Sequence, residues 1–194
     1  VSLQPGTNAL KEWASVVSAL AAGDQIVLVR KGGIAEKRFG LEADRFYLYP
    51  TFLHQEENQF KPSLRHHLDV TRIGPAEPES VEITAWCEAV QSFEVSELDA
   101  LLRLEPFVIF TGQTIEDRYR FRPRQAMNVI AVRTFLLPHP VRVHTRAEYL
   151  GCRSWLALEE AIETDGSRAV LSDRALIERV AEIAAALQTS GARR

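Results

Sequence analysis

Val81-Glu82-Ile83-Thr84-Ala85-Trp86-Cys87-Glu88-Ala89 alternates in period two. Val81, Ile83, Ala85, Cys87 and Ala89 fall on one face, and Glu82, Thr84, Trp86 and Glu88 on the other, which is the periodicity of a β-strand. The pattern continues to Val95 and predicts a long strand or a bent pair over Val81–Val95. On its C-terminal side, Asn128–Leu136 reads as a buried strand, and Pro138-His139-Pro140 separates it from a short strand, Val141–His144. Phe107–Thr111 is a further strand candidate. On its N-terminal side, Gln25–Arg30 and Arg45–Tyr49 predict two strands joined as a hairpin with a polar tip, the second ended by Pro50. Helices fall around these runs. Asn8–Ala22 carries an apolar stripe (Leu10, Trp13, Val16, Val17, Leu20) between a capping Asn8 and a terminating Gly23. Ser96 precedes a short helix over Glu97–Leu104, and Ser154–Glu163 and Asp173–Leu187 follow as amphipathic helices. Runs of strands with segregated helices indicate an α+β fold. The expected architecture is a curled, mostly antiparallel sheet or small open barrel, flanked by an N-terminal helix and two C-terminal helices. Residues 1–150 are expected to form the main domain, and 151–194 a helical appendage packed on it.

The 194 residues are 46% hydrophobic, enough for one filled core, since a domain of this size buries roughly 70% of its unfolded surface. A net charge of −3 excludes wholesale electrostatic binding, but the charge is uneven. Between Arg118 and Arg153 eight arginines face one acid, whereas Glu159–Gln188 holds seven acids and three arginines. Arginine outnumbers lysine nineteen to four, as a GC-rich genome would produce. Cys87 and Cys152 make no disulfide framework and read as reduced, buried thiols. With no signal-peptide pattern and no apolar run near the ~20 residues of a membrane span, a cytoplasmic protein is expected.

Arg118-Tyr119-Arg120-Phe121-Arg122-Pro123-Arg124 places arginine at every second position. As a strand over Arg118–Arg122 it would present guanidiniums about 7 Å apart, a comb suited to phosphates. The plainer reading is a solvated face above core-facing Tyr119 and Phe121. Arg30-Lys31-Gly32-Gly33 ends a strand, where Lys31 could hold an anion, or where the glycines make only a turn. No phosphate-binding loop or dinucleotide fingerprint occurs, so no cofactor is expected. A strict PD-(D/E)XK nuclease motif is absent: the residues two before the lysines are Ala9, Val29, Ala35 and Gln59. His54 is the candidate for acid–base work. His54, His66, His67 and Asp69 lie close in sequence, but adjacent histidines are expected to diverge and no CxxC accompanies them, so no metal is expected. Glu116 and Asp117 beside the arginines suggest ion pairs. Trp86 could stack a base or lie beneath a helix.

Several blocks resemble a bacterial family, the domain-of-unknown-function 1802 family, over roughly residues 8–145. They are Ala9-Leu10-Lys11-Glu12-Trp13-Ala14, Leu28-Val29-Arg30-Lys31-Gly32-Gly33-Ile34, Tyr47-Leu48-Tyr49-Pro50-Thr51-Phe52-Leu53-His54-Gln55, and Arg118–Arg124 followed by Asn128–Phe135. The resemblance implies association with Mrr-type restriction endonuclease domains, hence DNA restriction or processing. By element order alone, Val81–Val143 is also similar to PUA-like domains. The leading reading is a nucleic-acid-binding accessory module, for DNA in preference to RNA, with a restriction-type nuclease as partner. Its contacts would be Arg30, Lys31, Arg118, Tyr119, Arg120, Arg122 and Arg124. One alternative is a small enzyme clamping a phosphorylated or nucleic-acid substrate with Lys31 and the arginines, with His54 as acid or base. The other is a scaffold or homodimer formed through the C-terminal helices.

Overall fold

Period-two alternation builds the longest ladder of the molecule. A computed structural model describes residues 5–31, 41–71, 78–121, 125–151 and 153–188. In chain order its strands are β1 (Asn8–Trp13), β2 (Val27–Arg30), β3 (Arg45–Thr51), β4 (Ser80–Val95), β5 (Met127–His144), β6 (Trp155–Ala157) and β7 (Arg168–Ala169). The helices are α1 (Ala14–Ala22), α2 (His66–Asp69), α3 (Leu98–Leu102), α4 (Gly112–Arg120) and α5 (Asp173–Gln188). β4 and β5 pair antiparallel from Ser80 opposite His144 to Val95 opposite Met127, with register shifts between Ile83 and Ala85 and between Ala89 and Gln91. Such bulges bend a strand and raise its twist, so the sheet curls as expected. Pro138 and Pro140 sit in β5 opposite the first shift, where no regular ladder bond is lost.

The first shift also inverts the strand's faces. Val81 and Ile83 join Trp86 in a core with Tyr47, Tyr149 and Leu156, while Ala85 and Cys87 join the core on the opposite side. The single face read from the sequence is therefore divided between two cores. Trp86 is stacked on Phe135 (centroids 4.1 Å apart) and donates its indole N–H to Ser167 Oγ, so it is cover for the sheet rather than an open base platform.

The sheet runs β2-β5-β4-β3-β1-β6, with β7 added to β5. β2 pairs with β5 and β3 with β4, so the expected β2–β3 hairpin does not form. Val27, Leu28 and Val29 are all buried, and a fully buried strand needs neighbours that a two-stranded ribbon with a polar tip does not provide. The N-terminal helix starts only at Ala14. Asn8–Trp13 is instead β1, parallel to β3 and antiparallel to β6, because ladder bonds on both edges outweigh a helical spacing of apolar residues. Asn8 caps no helix: its side-chain amide donates to the Pro5 carbonyl. Gly23 does end α1, at φ +81°, where a Cβ would lie 3.1 Å from Val170 Cγ1.

Pro50 lies within β3 rather than after it. Phe107–Thr111 is a single-turn 3-10 helix at Glu105–Phe107 continued by an isolated bridge from Phe110 to Phe60. Ser154–Glu163 supplies β6 rather than a helix. Tyr47 Oη fastens the segment after that strand, donating to the Ile162 carbonyl (2.7 Å) and accepting its N–H (3.0 Å). α5 forms as its pattern predicts, with Ser172 Oγ accepting the Ala175 N–H, but Ile177, expected on the apolar face with Leu176, Val180, Ile183 and Leu187, does not join it. Its Leu176, Val180 and Ile183 enter the same core as α1 and β2, which leaves Ile177 exposed. Most of the apolar stripe offered to a homodimer or scaffold is thus turned inward, Ile177 excepted. Among the described residues no helix is long and apolar enough to cross a membrane.

Candidate nucleic-acid interface

The arginine comb is not a strand. Thr111 accepts the Thr114 N–H at an N-cap, and the chain runs helically as α4 through Arg120. Gln113 with Asp117, and Glu116 with Arg120, form the i,i+4 pairs that support a helix. Residues two apart on a helix point about 200° apart, so Arg118 and Arg120 separate. Arg120 faces outward, its side chain 71% exposed and paired with Glu116. Arg118 faces inward, its guanidinium 4.3 Å from the Trp13 ring centre and 4.2 Å from that of Phe110. There, burial lowers its pKa to about 10, partly opposed by the Glu12 carboxylate and reinforced by Arg30, so it remains a cation at neutral pH. Tyr119 donates its hydroxyl to the Ser96 carbonyl and lies beneath Lys31, whose Nζ is 5.2 Å from the ring centre and donates to the Tyr119 carbonyl. Arg122 and Arg124 lie outside the described residues.

Arg118 opens onto a cavity of about 920 Å³ between the end of β1, the end of β2, the turn after β3, and the segment around Tyr149–Ser154. Arg30, Lys31, His54 and Arg118 all line it; among the described residues Tyr119 and Arg120 do not. β1 contributes Lys11, Glu12 and Trp13. Glu12 is 4% exposed; one carboxylate oxygen accepts from Arg30 Nη1 at 3.1 Å and the other from the Trp13 N–H at 2.8 Å. Lys11 Nζ donates to the carbonyls of Tyr149 and Gly151, both at 2.8 Å, which ties the later segment to the wall. Partial burial lowers the pKa of Lys31.

Lys11, Arg30, Lys31, Arg118 and Arg153 oppose only Glu12 and Asp117, five cations against two acids among the described residues. This local surplus sits in a chain whose net charge is −3. The apolar share of the wall includes Trp13, Tyr49, Tyr149 and Phe121. Cations among aromatic faces in a concavity suit a planar, anionic ligand.

His54 stands in the turn after β3 at φ +64°, the left-handed region that costs a non-glycine residue about 1–2 kcal/mol. Its neighbour Gln55 holds the turn: Oε1 accepts both the N–H and the hydroxyl of Ser15, and Nε2 donates to the Thr51 carbonyl. Lys11, Glu12, Tyr49, Tyr149 and Arg153 were not singled out by sequence reasoning. A signal for the first three existed, because all four blocks quoted for the family resemblance send residues to this cavity.

Solved structures of an ASCH protein from Zymomonas mobilis are similar to this chain in outline. A single-residue variant matches with a TM-score of 0.43 and 11% identity, over 76% of this chain and 94% of that one. The ASCH protein itself matches with a TM-score of 0.42 and 12% identity, over 73% and 89%. ASCH domains are PUA-like in fold. No curated protein matches the chain. The family model described as "Domain of unknown function (DUF1802)" matches residues 9–182, beyond the stretch ending near residue 145, and takes in β6, β7 and most of α5. A match that spans nearly all of the sheet and of both cores, and every described wall of the cavity, places this chain in the DUF1802 family.

Proposed function

We propose that the protein binds nucleic acid at this cavity as a recognition or accessory module, seating one unstacked nucleotide with its phosphates on the cationic rim. The observation that carries this reading is the surplus of cations around an aromatic-walled cavity of about 920 Å³, within the size range of small-molecule sites. Base–aromatic stacking contributes about 1–3 kcal/mol per base. Arg30, Lys31 and Arg118 meet the ligand inside the cavity. Tyr119 supports Lys31, and Arg120 on the outer face of α4 meets a flanking phosphate. A preference for DNA over RNA and a restriction-type nuclease partner are extensions drawn from the family resemblance.

Fluorescence anisotropy with labelled single-stranded DNA, single-stranded RNA and duplex DNA tests the proposal. Two or three neutralised phosphates give a log–log salt slope of about −1.4 to −2.1 for single strands. Arg118→Met should weaken binding at least about tenfold, the loss of one charge-assisted contact. Arg120→Ala should change it by less than about threefold. If no salt-sensitive affinity for any of the three appears in a folded sample, the reading is lost.

One observation favours a second reading. His54 is held in a left-handed conformation at the rim of the same cavity as Lys31 and Arg118. It would act as general acid or base on a phosphorylated or nucleic-acid ester clamped by those cations. Turnover that disappears in His54→Ala while binding persists would support it; a wild type that leaves bound oligonucleotides intact rejects it.

A further inference from the structure

We propose that Asp24, His66 and His67 form a site for a divalent transition-metal ion, Zn²⁺ foremost, where α2 meets the turn between α1 and β2. None of the three lines the cavity, so this site stands apart from the nucleic-acid reading. The sequence pairs the two histidines with Asp69, but the fold brings Asp24 to them from 43 positions before His67. One ligand atom from each lies within 4.8 Å of the others. Ligand atoms around a tetrahedral ion with bonds of 2.0–2.1 Å stand about 3.4 Å apart, so closing on an ion takes shifts of about 1 Å. Asp24 and His66 are exposed and can make them.

The buried member is the one already aimed. His67 Nδ1 lies 2.9 Å from Ser18 Oγ on α1, and Nε2 lies 2.9 Å from Asp24 Oδ2. A metal-ligating histidine is oriented in this way, with its second nitrogen on a fixed hydrogen-bond partner. The hydroxyl suits both states. Without metal, Nε2–H donates to Asp24 and the Ser18 hydroxyl donates to Nδ1. With metal on Nε2 the proton resides on Nδ1 and the hydroxyl rotates to accept it, so no proton is lost from the ring. The Asp24 backbone is fixed, its N–H on the Ala19 carbonyl and its carbonyl accepting from Arg179 of α5. The two imidazoles do not diverge as adjacent histidines were expected to; their ring centres are 4.0 Å apart. Two imidazoles and one carboxylate with solvent access form a three-ligand set that leaves a position for water, chemistry suited to Zn²⁺ and its neighbours in the series. Bound metal would clamp α2 to the α1–β2 turn.

The test uses untagged, chelator-stripped protein of the full 194 residues, titrated with Zn²⁺ against a chromophoric competitor and followed in parallel by thermal melting. One equivalent should bind and raise the melting temperature. His66→Ala and Asp24→Asn should each abolish both effects while leaving the metal-free melting temperature close to wild type. Ser18→Ala, which frees the His67 ring, should weaken binding about 10- to 100-fold. His139→Ala, outside the cluster, should leave the titration unchanged. Zn²⁺ binding that survives both His66→Ala and Asp24→Asn, or no binding and no thermal shift in the wild type, overturns the assignment.

Discussion

Replacing Glu12 by glutamine should cost stability and gain affinity for polyanions at the same time. The side chain is 3% exposed, its partner Arg30 is 17% exposed, and Arg118 lies close enough for the carboxylate to offset part of its burial. Removing one member of a buried ion pair costs about 3–5 kcal/mol, because the opposite charge stays behind. Glutamine keeps an oxygen for the Trp13 N–H, and Arg30 retains some access to water. Both place the loss near the lower end, about 3 kcal/mol. For a chain of this length that lowers the melting temperature by roughly 6–12 °C. Deleting one negative charge from the cavity raises affinity for an anion about 10 Å away by about two- to threefold at physiological salt. Urea denaturation followed by tryptophan fluorescence reads the first effect, and anisotropy the second. Glu82→Gln is the control: its contact with Arg142 is 4.0 Å long between exposed side chains, so it should move stability by less than about 0.5 kcal/mol. A Glu12→Gln protein as stable as the wild type would refute the view that this pair and Arg118 share one buried charge balance.

Other substitutions probe the frame. Ile183 is fully buried and Ile177 is 67% exposed, so Ile183→Ala should lose about 2–4 kcal/mol in urea melts and Ile177→Ala less than about 0.5; equal losses would contradict the inward stripe of α5. Gly23→Ala should cost about 1–2 kcal/mol, measured the same way, because the residue must keep φ +81° with its new methyl 3.1 Å from Val170. Cys87 is fully buried, and burial pushes its thiol up to about 12 from an ordinary 9.0. In a Cys152→Ser background it should ignore a thiol reagent near pH 8 until the protein unfolds. The unfolded chain then sheds this proton from about pH 9 while the fold retains it to about 12; the Cys87 contribution to stability is therefore full below pH 9 and declines above it.

What could be read from the sequence was local. β4 and α5 follow from period-two and period-3.6 patterns carried by their own side chains, and runs of strands with segregated helices were enough for the α+β class. The arginine comb shows where such patterns become ambiguous. Arginine at alternate positions fits a strand, but Thr111 followed by Thr114, with Glu116 four residues before Arg120, also fits a capped helix, and the helix forms. β1 was hidden because its apolar residues fall by chance at helical spacing, while its strand conformation depends on β3 and β6. The bulge that reverses β4 between Ile83 and Ala85 leaves no mark in composition. Site residues divide the same way. Arg30, Lys31, His54 and Arg118 could be chosen for their own chemistry, but their gathering at one cavity with Lys11, Glu12 and Tyr149 is a product of long-range pairing.

The position of β1 between β3 and β6 bears on how the protein is made. β1 leaves a ribosome long before Trp155–Ala157 and waits for it before its second edge is paired, and β2 waits for β5. A topology so dependent on distant pairings must close long loops before those pairings reward it, which slows folding. A nascent product halted before Trp155 would carry an open β1 edge, ready to recruit a strand from another stalled chain.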